Sequence, residues 1–136
     1  MNYIIKNATL VNEGKSFLAS VVISEGLIKE IIPDNGQHPA SNGYEVIDAE
    51  GRYVSPGFID IHTHGAGGSD FMDGTVEAFL TAAQMQASHG ATLVYPTTLT
   101  SSNEVLFEAF KTYEKALEAN ARGAAFGGLH LEGPYF

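Results

Sequence analysis

Two histidines one residue apart, His62 and His64, close the apolar run Phe58-Ile59-Asp60-Ile61, and Glu132 closes a second apolar run that begins at Gly127-Gly128-Leu129. Side chains two apart on a strand point to the same face, so both imidazoles can reach one divalent ion. A carboxylate at the end of an apolar strand needs solvent or a cation, and Gly133-Pro134 turns the chain directly after it. Glu132, His62 and His64 are therefore the candidate metal ligands. His-x-His alone is a frequent coincidence. Its position carries more weight here, because an apolar strand precedes the pair and the small residues Gly65-Ala66-Gly67-Gly68 follow it, leaving room for a substrate. The chain has no cysteine, which leaves His, Asp and Glu as ligands, a set suited to zinc, iron or manganese.

Other residues have two readings each. Asp60 precedes His62 by two positions on the same face, and is either a partner that orients an imidazole or an interior carboxylate satisfied by hydrogen bonds. His130 shares the face of Glu132 but sits deeper, as a packed or hydrogen-bonded histidine. His89 precedes Gly90 at a helix end, where the dipole favours a cation, and reads as structural. His38 lies in a loop with no partner to name. Thr97, Thr98 and Thr100 follow a strand and either touch substrate or cap and turn the chain. Gly67-Gly68-Ser69-Asp70 lacks the spacing of a phosphate loop, and there is no Ser-His-Asp or Cys-His arrangement.

The elements that must position these groups fall into two regions. Residues 1–55 read as a small β module with strands at Tyr3 to Ile5, Ala8 to Val11, Phe17 to Ile23, Leu27 to Ile32 and Tyr44 to Ile47. Glu25-Gly26 makes a hairpin of Val21 to Ile32, Asp34-Asn35-Gly36 a second turn, and Gln37 to Gly43 a loop. Residues 56–136 change to a rhythm of strand, loop and helix. Val76, Phe79, Leu80, Ala83 and Ala87 share one helical face, with Gly90 as its stop. Ala91 to Tyr95 is the next strand. Ser101 and Glu104 fit a capping box ahead of a stripe of Leu106, Ala109, Phe110, Tyr113 and Leu117, and Ala124 to Leu131 is the third strand. Strands separated by single helices are the pattern of right-handed βαβ units in a parallel sheet. Such a sheet is covered on both faces, and a (β/α)8 barrel takes about 250 residues. The expected fold class is thus α/β, the first three βα units of a barrel, incomplete in this chain and belonging to a longer protein.

Composition narrows the function classes. At 136 residues, 44% hydrophobic and 17% charged, the chain is globular in character. No run of about 18 apolar residues offers a membrane span, and no basic start followed by an apolar core offers a signal peptide. Sixteen acidic against seven basic residues, a formal net charge of -9, argue against a nucleic-acid or anionic-membrane surface. A cytoplasmic enzyme is the default expectation.

The stretch Pro56-Gly57-Phe58-Ile59-Asp60-Ile61-His62-Thr63-His64-Gly65 resembles the first-strand signature of the amidohydrolase superfamily. Within it, Gly128-Leu129-His130-Leu131-Glu132-Gly133-Pro134-Tyr135-Phe136 is similar to the third-strand signature of the N-acetylglucosamine-6-phosphate deacetylase family. The first signature is shared by many metal-dependent hydrolases; the second is much more specific. The resemblance covers essentially the whole chain, which would be the first third or so of a family member. It implies a TIM-like hydrolase barrel preceded by the amino-terminal part of a small β-sandwich. It makes Glu132 the ligand of the principal metal, with His62 and His64 helping to hold a second ion. Some members replace the two histidines and use one ion, so one or two divalent ions are implied, zinc foremost and iron among the others. The catalytic aspartate of this family comes from a later strand, so no catalytic residue is assigned here. The implied reaction removes the acetyl group from an amino-sugar phosphate in a full-length homo-oligomer, and the 136-residue species alone is expected to be inactive. The alternatives are a dihydroorotase-like or aminoacylase-like amidohydrolase, or a non-catalytic binding or assembly piece with Ala125, Phe126 and Leu129 on an open edge.

Overall fold

Two Glu-Gly pairs set the geometry of the first third of the chain. Glu13-Gly14 has φ of 49° and 71°, and Glu25-Gly26 has 55° and 77°. Positive φ at both central residues is what a two-residue type I′ turn requires, and its twist matches that of the strands it joins. In the computed structural model, which describes residues 2–35 and 39–133, these turns link β1 (Tyr3–Asn12), β2 (Lys15–Ser24) and β3 (Leu27–Pro33) as antiparallel neighbours. β4 (Glu45–Asp48) and β5 (Tyr53–Val54) both pair with β1 in parallel, giving a five-stranded mixed sheet of order β3-β2-β1-β4. These strands belong to one compact unit, Met1–Pro56, and the rest of the chain to a second, Gly57–Phe136. Leu10, Ala19 and Val21 are the buried centre of the first unit, flanked by Ile5, Phe17, Ile23, Ile31 and Val54.

The two strands expected at Tyr3 to Ile5 and Ala8 to Val11 are one strand with a register shift between Ile5 and Ala8. Asn7 sits at that shift with φ 54°, and its side-chain amide donates to both oxygens of Asp48 at 2.9 and 3.0 Å. Asp48 also accepts from the Glu50 amide at 2.9 Å and faces the Lys6 ammonium at 3.2 Å. The Glu50 amide first, then Asn7 and Lys6, hold its carboxyl below the ordinary value of 3.8. A carboxyl whose folded pKa is depressed stabilises the fold above its unfolded pKa, and that contribution is lost as pH falls through the lower folded value. Asp48→Asn should therefore lower the melting temperature at neutral pH and leave it unchanged in acid below the folded value. Thermal melts of both proteins across that range test it, and an equal deficit at every pH would contradict it. Gly36, Gln37, His38 and Pro134 lie outside the described residues, and with them the turn at Asp34-Asn35-Gly36, the role of His38 and the turn after Glu132.

The second unit runs β6 (Phe58–Thr63), β7 (Gly65–Ala66), β8 (Ser69–Asp70), a 3₁₀ turn Phe71–Asp73, α1 (Val76–Ser88), β9 (Ala91–Pro96), α2 (Asn103–Ala119) and β10 (Ala125–Phe126). β10, β9 and β6 form a parallel sheet in that order. α1 begins where the Thr75 hydroxyl accepts the Ala78 amide at 3.2 Å and ends at His89, ahead of Gly90 at φ 95°. α2 is capped by Ser102, which accepts the Val105 amide at 3.4 Å, not by Ser101. The expected capping box does not form, because the cap lies one residue later and Val105 stands three positions on; Glu104 is left in the first turn with its carboxyl lowered by its own amide and by the Ser102 hydroxyl. Phe79 lies at the centre of the core, its ring 5.0 Å from Phe71, 6.0 Å from Phe126 and 6.2 Å from Tyr113. Ala82, Ala83, Val94, Ala116 and Ala124 fill in around it. Leu117, expected in the apolar stripe of α2, is exposed and Ala116 is buried instead.

The third strand is shorter than expected. Only Ala125 and Phe126 pair regularly with Leu93 and Val94, and pairing returns as a single bridge between Thr97 and His130. Gly127 and Gly128 cause the interruption. The Tyr95 ring lies 2.6 Å from where a Cβ on Gly127 would stand, and Gly128 has φ 143°. Hydrogen bonds from Gly127 to Val94 (3.0 Å), from His130 to Pro96 (2.9 Å) and from Thr98 to His130 (2.9 Å) nevertheless keep the chain running alongside β9 as far as His130, two residues before Glu132. Among the described residues no helix is long and apolar enough to cross a membrane.

Candidate metal centre

The carboxyl end of β6 is not a regular strand. Asp60 pairs with Val94 and Thr63 with Pro96, so three steps on β6 oppose two on β9 and one residue is extra. Such a bulge takes groups out of the ladder and re-aims side chains. Here the His62 amide donates to Asp60 Oδ1 at 3.1 Å, and the Ile61 carbonyl accepts from His130 Nδ1 at 2.8 Å. Beyond the bulge the ladder resumes, with the Thr97 amide donating to the Thr63 carbonyl at 2.8 Å and the Thr63 amide to Thr97 Oγ1 at 3.0 Å. The small residues after His64 form an ordered hairpin in which β7 pairs with β8 through Gly67-Gly68, at φ 65° and 80°. Gly65 is required there because a Cβ would run into the Ser69 carbonyl. The Phe71 amide donates to the His64 carbonyl at 2.9 Å, so the aromatic core begins directly beneath the second histidine.

Within this frame the three candidate ligands meet. His62 Nε2 lies 2.9 Å and His64 Nε2 3.0 Å from the same oxygen, Glu132 Oε2. One ligand atom from each residue lies within 4.8 Å of the others. The rings of His62 and His64 are edge to face, 5.3 Å apart, and His130 packs on His62 at 4.5 Å. The group is reachable from solvent, with the His62 side chain 48% and Glu132 33% exposed. The donors fit a small divalent ion. Ligand atoms about 2.0 to 2.1 Å from one tetrahedral ion stand roughly 3.3 Å apart, a few tenths of an ångström more than the two separations from Glu132 Oε2. His64 Nδ1 is buried and has no hydrogen-bond partner among the described residues, so Nε2 carries that ring's polar contact.

The structure brings Asp60 to the main chain of His62, and no contact joins it to either ring. Its second oxygen accepts from Gln86 Nε2 at 3.3 Å. Thr97 and Thr98 are buried, and Thr97 Oγ1 also donates to the Tyr95 carbonyl at 3.2 Å, which makes it a strut between β9 and β6. Thr100 packs against Gly133. His89 caps α1, with Nδ1 2.9 Å from the Met85 carbonyl and 3.0 Å from Ser88 Oγ, and does not join the candidate ligand group. Gln86 has no counterpart in the sequence reading. Its only signal there is a polar residue three and four positions after Ala83 and Ala82, on the face α1 buries.

Residues 45–123 match the sequence model of a family described as "Amidohydrolase family". The N-acetylglucosamine-6-phosphate deacetylase of Lysinibacillus sphaericus is 30% identical over 136 residues, 99% of this chain and 34% of that protein. A dihydroorotase of Staphylococcus aureus is 33% identical over 120 residues, 88% of this chain and 27% of that one. The crystal structure of N-acetylglucosamine-6-phosphate deacetylase from Pasteurella multocida matches with a TM-score of 0.85 at 28% identity, over 100% of this chain and 35% of that one. The chain thus spans about a third of the length of the deacetylases it is similar to.

Proposed function

Since the chain belongs to the amidohydrolase family, whose members are metal-dependent hydrolases, we propose that it supplies one wall of the metal centre of an N-acetylglucosamine-6-phosphate deacetylase. In this reading residues 56–136 are the first three βα units of a (β/α)8 barrel, and residues 1–55 the amino-terminal part of a β-sandwich. The convergence of His62, His64 and Glu132 carries the proposal: it lies at the carboxyl ends of parallel strands, where such barrels keep their active sites.

The residues present have definable tasks. Glu132, His62 and His64 would hold one or two divalent ions, zinc foremost. A divalent ion in such a site polarises a carbonyl oxygen and acidifies water. Glu132 supplies the negative charge between the two imidazoles. Asp60 and His130 hold the bulged main chain from which His62 projects. The reaction adds water across the acetamido C–N bond of N-acetylglucosamine 6-phosphate, releasing acetate and glucosamine 6-phosphate. The group that carries the proton to the leaving amine is assigned to no residue of this chain. The same reading gives a homo-oligomeric cytoplasmic enzyme that takes an amino-sugar phosphate and neither nucleic acid nor membrane.

Acetate release from that sugar phosphate by the intact protein, reconstituted with zinc or iron, is the test, and no release would overturn the assignment. The dihydroorotase relative supports a second reading, a cyclic amide as substrate. Turnover of dihydroorotate without acetate release from the sugar phosphate would select it.

A further inference from the structure

The bulge in β6 leaves a problem that α1 solves. Asp60 accepts the freed His62 amide through one oxygen only, and a carboxylate held at one point can turn about its bond. Gln86 Nε2 donates to the other oxygen at 3.3 Å and to Thr63 Oγ1 at 3.1 Å. Thr63 Oγ1 in turn donates to the Gly65 carbonyl at 3.2 Å. One carboxamide therefore ties residues 60, 63 and 65, which alternate with and flank the two histidines. It projects from the turn of α1 that follows the fully buried Ala82 and Ala83, so its anchor is the core itself. Both groups facing Nε2 present acceptors, because the Thr63 hydroxyl spends its proton on Gly65. A donor is therefore required at this position, and a glutamate would set a second carboxylate against Asp60.

We propose that Gln86 is a positioning residue for the metal centre, locking the bulged end of β6 so that His62 and His64 present Nε2 to one ion. The proposal rests on the metal-centre reading above for its consequence, though not for its geometry. Groups that orient a ligand in this way typically alter metal affinity by roughly 10- to 100-fold when removed.

The test compares the full chain with Gln86→Leu and with the double variant Asp60→Asn/Gln86→Glu. The double variant exchanges donor and acceptor across the contact with residue 60, keeps the net charge, and leaves the Thr63 hydroxyl free to turn its proton from the Gly65 carbonyl to the new carboxylate. Cobalt(II) affinity, read by its visible absorption, should fall roughly 10- to 100-fold in Gln86→Leu and return most of the way in the exchanged pair. Amide hydrogen exchange at His62 and Thr63, measured without metal, should speed up by about 5- to 150-fold in Gln86→Leu, as the loss of both of its hydrogen bonds implies, with Phe79 and Ala82 unchanged. Unchanged exchange at His62 and Thr63, or equal losses in the single and double variants, would overturn the proposal. If the parent chain takes up no cobalt, the metal reading falls, while the exchange comparison still decides the role of Gln86.

Discussion

Glu132→Gln is expected to weaken zinc or cobalt binding by more than the roughly 10- to 100-fold that loss of an orienting partner costs, while leaving the fold intact. The substitution keeps shape and an acceptor oxygen but removes the charge. That charge matters because Glu132 Oε2 is the one atom that both His62 Nε2 and His64 Nε2 approach, at 2.9 and 3.0 Å. Two neutral imidazoles and an amide form a much poorer site for a divalent cation than two imidazoles and a negatively charged carboxylate. Titration calorimetry with each metal measures the loss, and a circular dichroism melt of the metal-free protein shows that the fold survives. On the proposed function, acetate release by the intact protein should fall in step with metal occupancy. Binding as tight as in the parent would remove Glu132 from the centre.

Phe79→Ala is expected to destabilise the second unit by about 3 to 5 kcal/mol, the range for emptying an aromatic site in a packed core. Phe79 is 1% exposed and is the ring that Phe71, Tyr113 and Phe126 all face. Its removal opens a void among the 3₁₀ turn, α2 and β10 together, elements too well tied elsewhere to collapse into it. Against a total stability of about 5 to 15 kcal/mol for an ordinary domain, this is enough to populate unfolded chains. Urea denaturation should show a lower midpoint with an unchanged slope, and a shift worth under about 1 kcal/mol would contradict the central place given to this ring. Because the Phe71 amide holds the His64 carbonyl, the metal site should loosen along with the core.

Features that depend on near neighbours were legible in the residues. The Glu25-Gly26 hairpin, the two helices, the strand at Ala91 and the pairing of strand with helix after Pro56 all follow from turn chemistry and apolar period over a few positions. The interruption of β1 near Asn7 was visible too, though as a gap between strands where it is a shift within one, because a bulge and a loop look alike until the partner strand is known. Glu13-Gly14 closes a hairpin of the same kind as Glu25-Gly26 but gives a fainter signal in the sequence, since the apolar alternation on either side of it is weaker.

Of the candidate site, the residue types and their order along the chain came from sequence: two imidazoles at the end of one apolar run and a carboxylate at the end of another. Tertiary structure decided the rest. His62 and Glu132 meet across 70 positions only because β9 lies between their strands in one sheet. Asp60 turned toward the main chain, and not the ring, because the bulge left an amide without a ladder partner. Gln86 joined the centre because burying Ala82 and Ala83 brings its turn of α1 against β6. Periodicity and turn preference are properties of a few consecutive residues, whereas strand order, a bulge and the partner of a freed hydrogen-bonding group are settled by segments that first meet when the sheet forms.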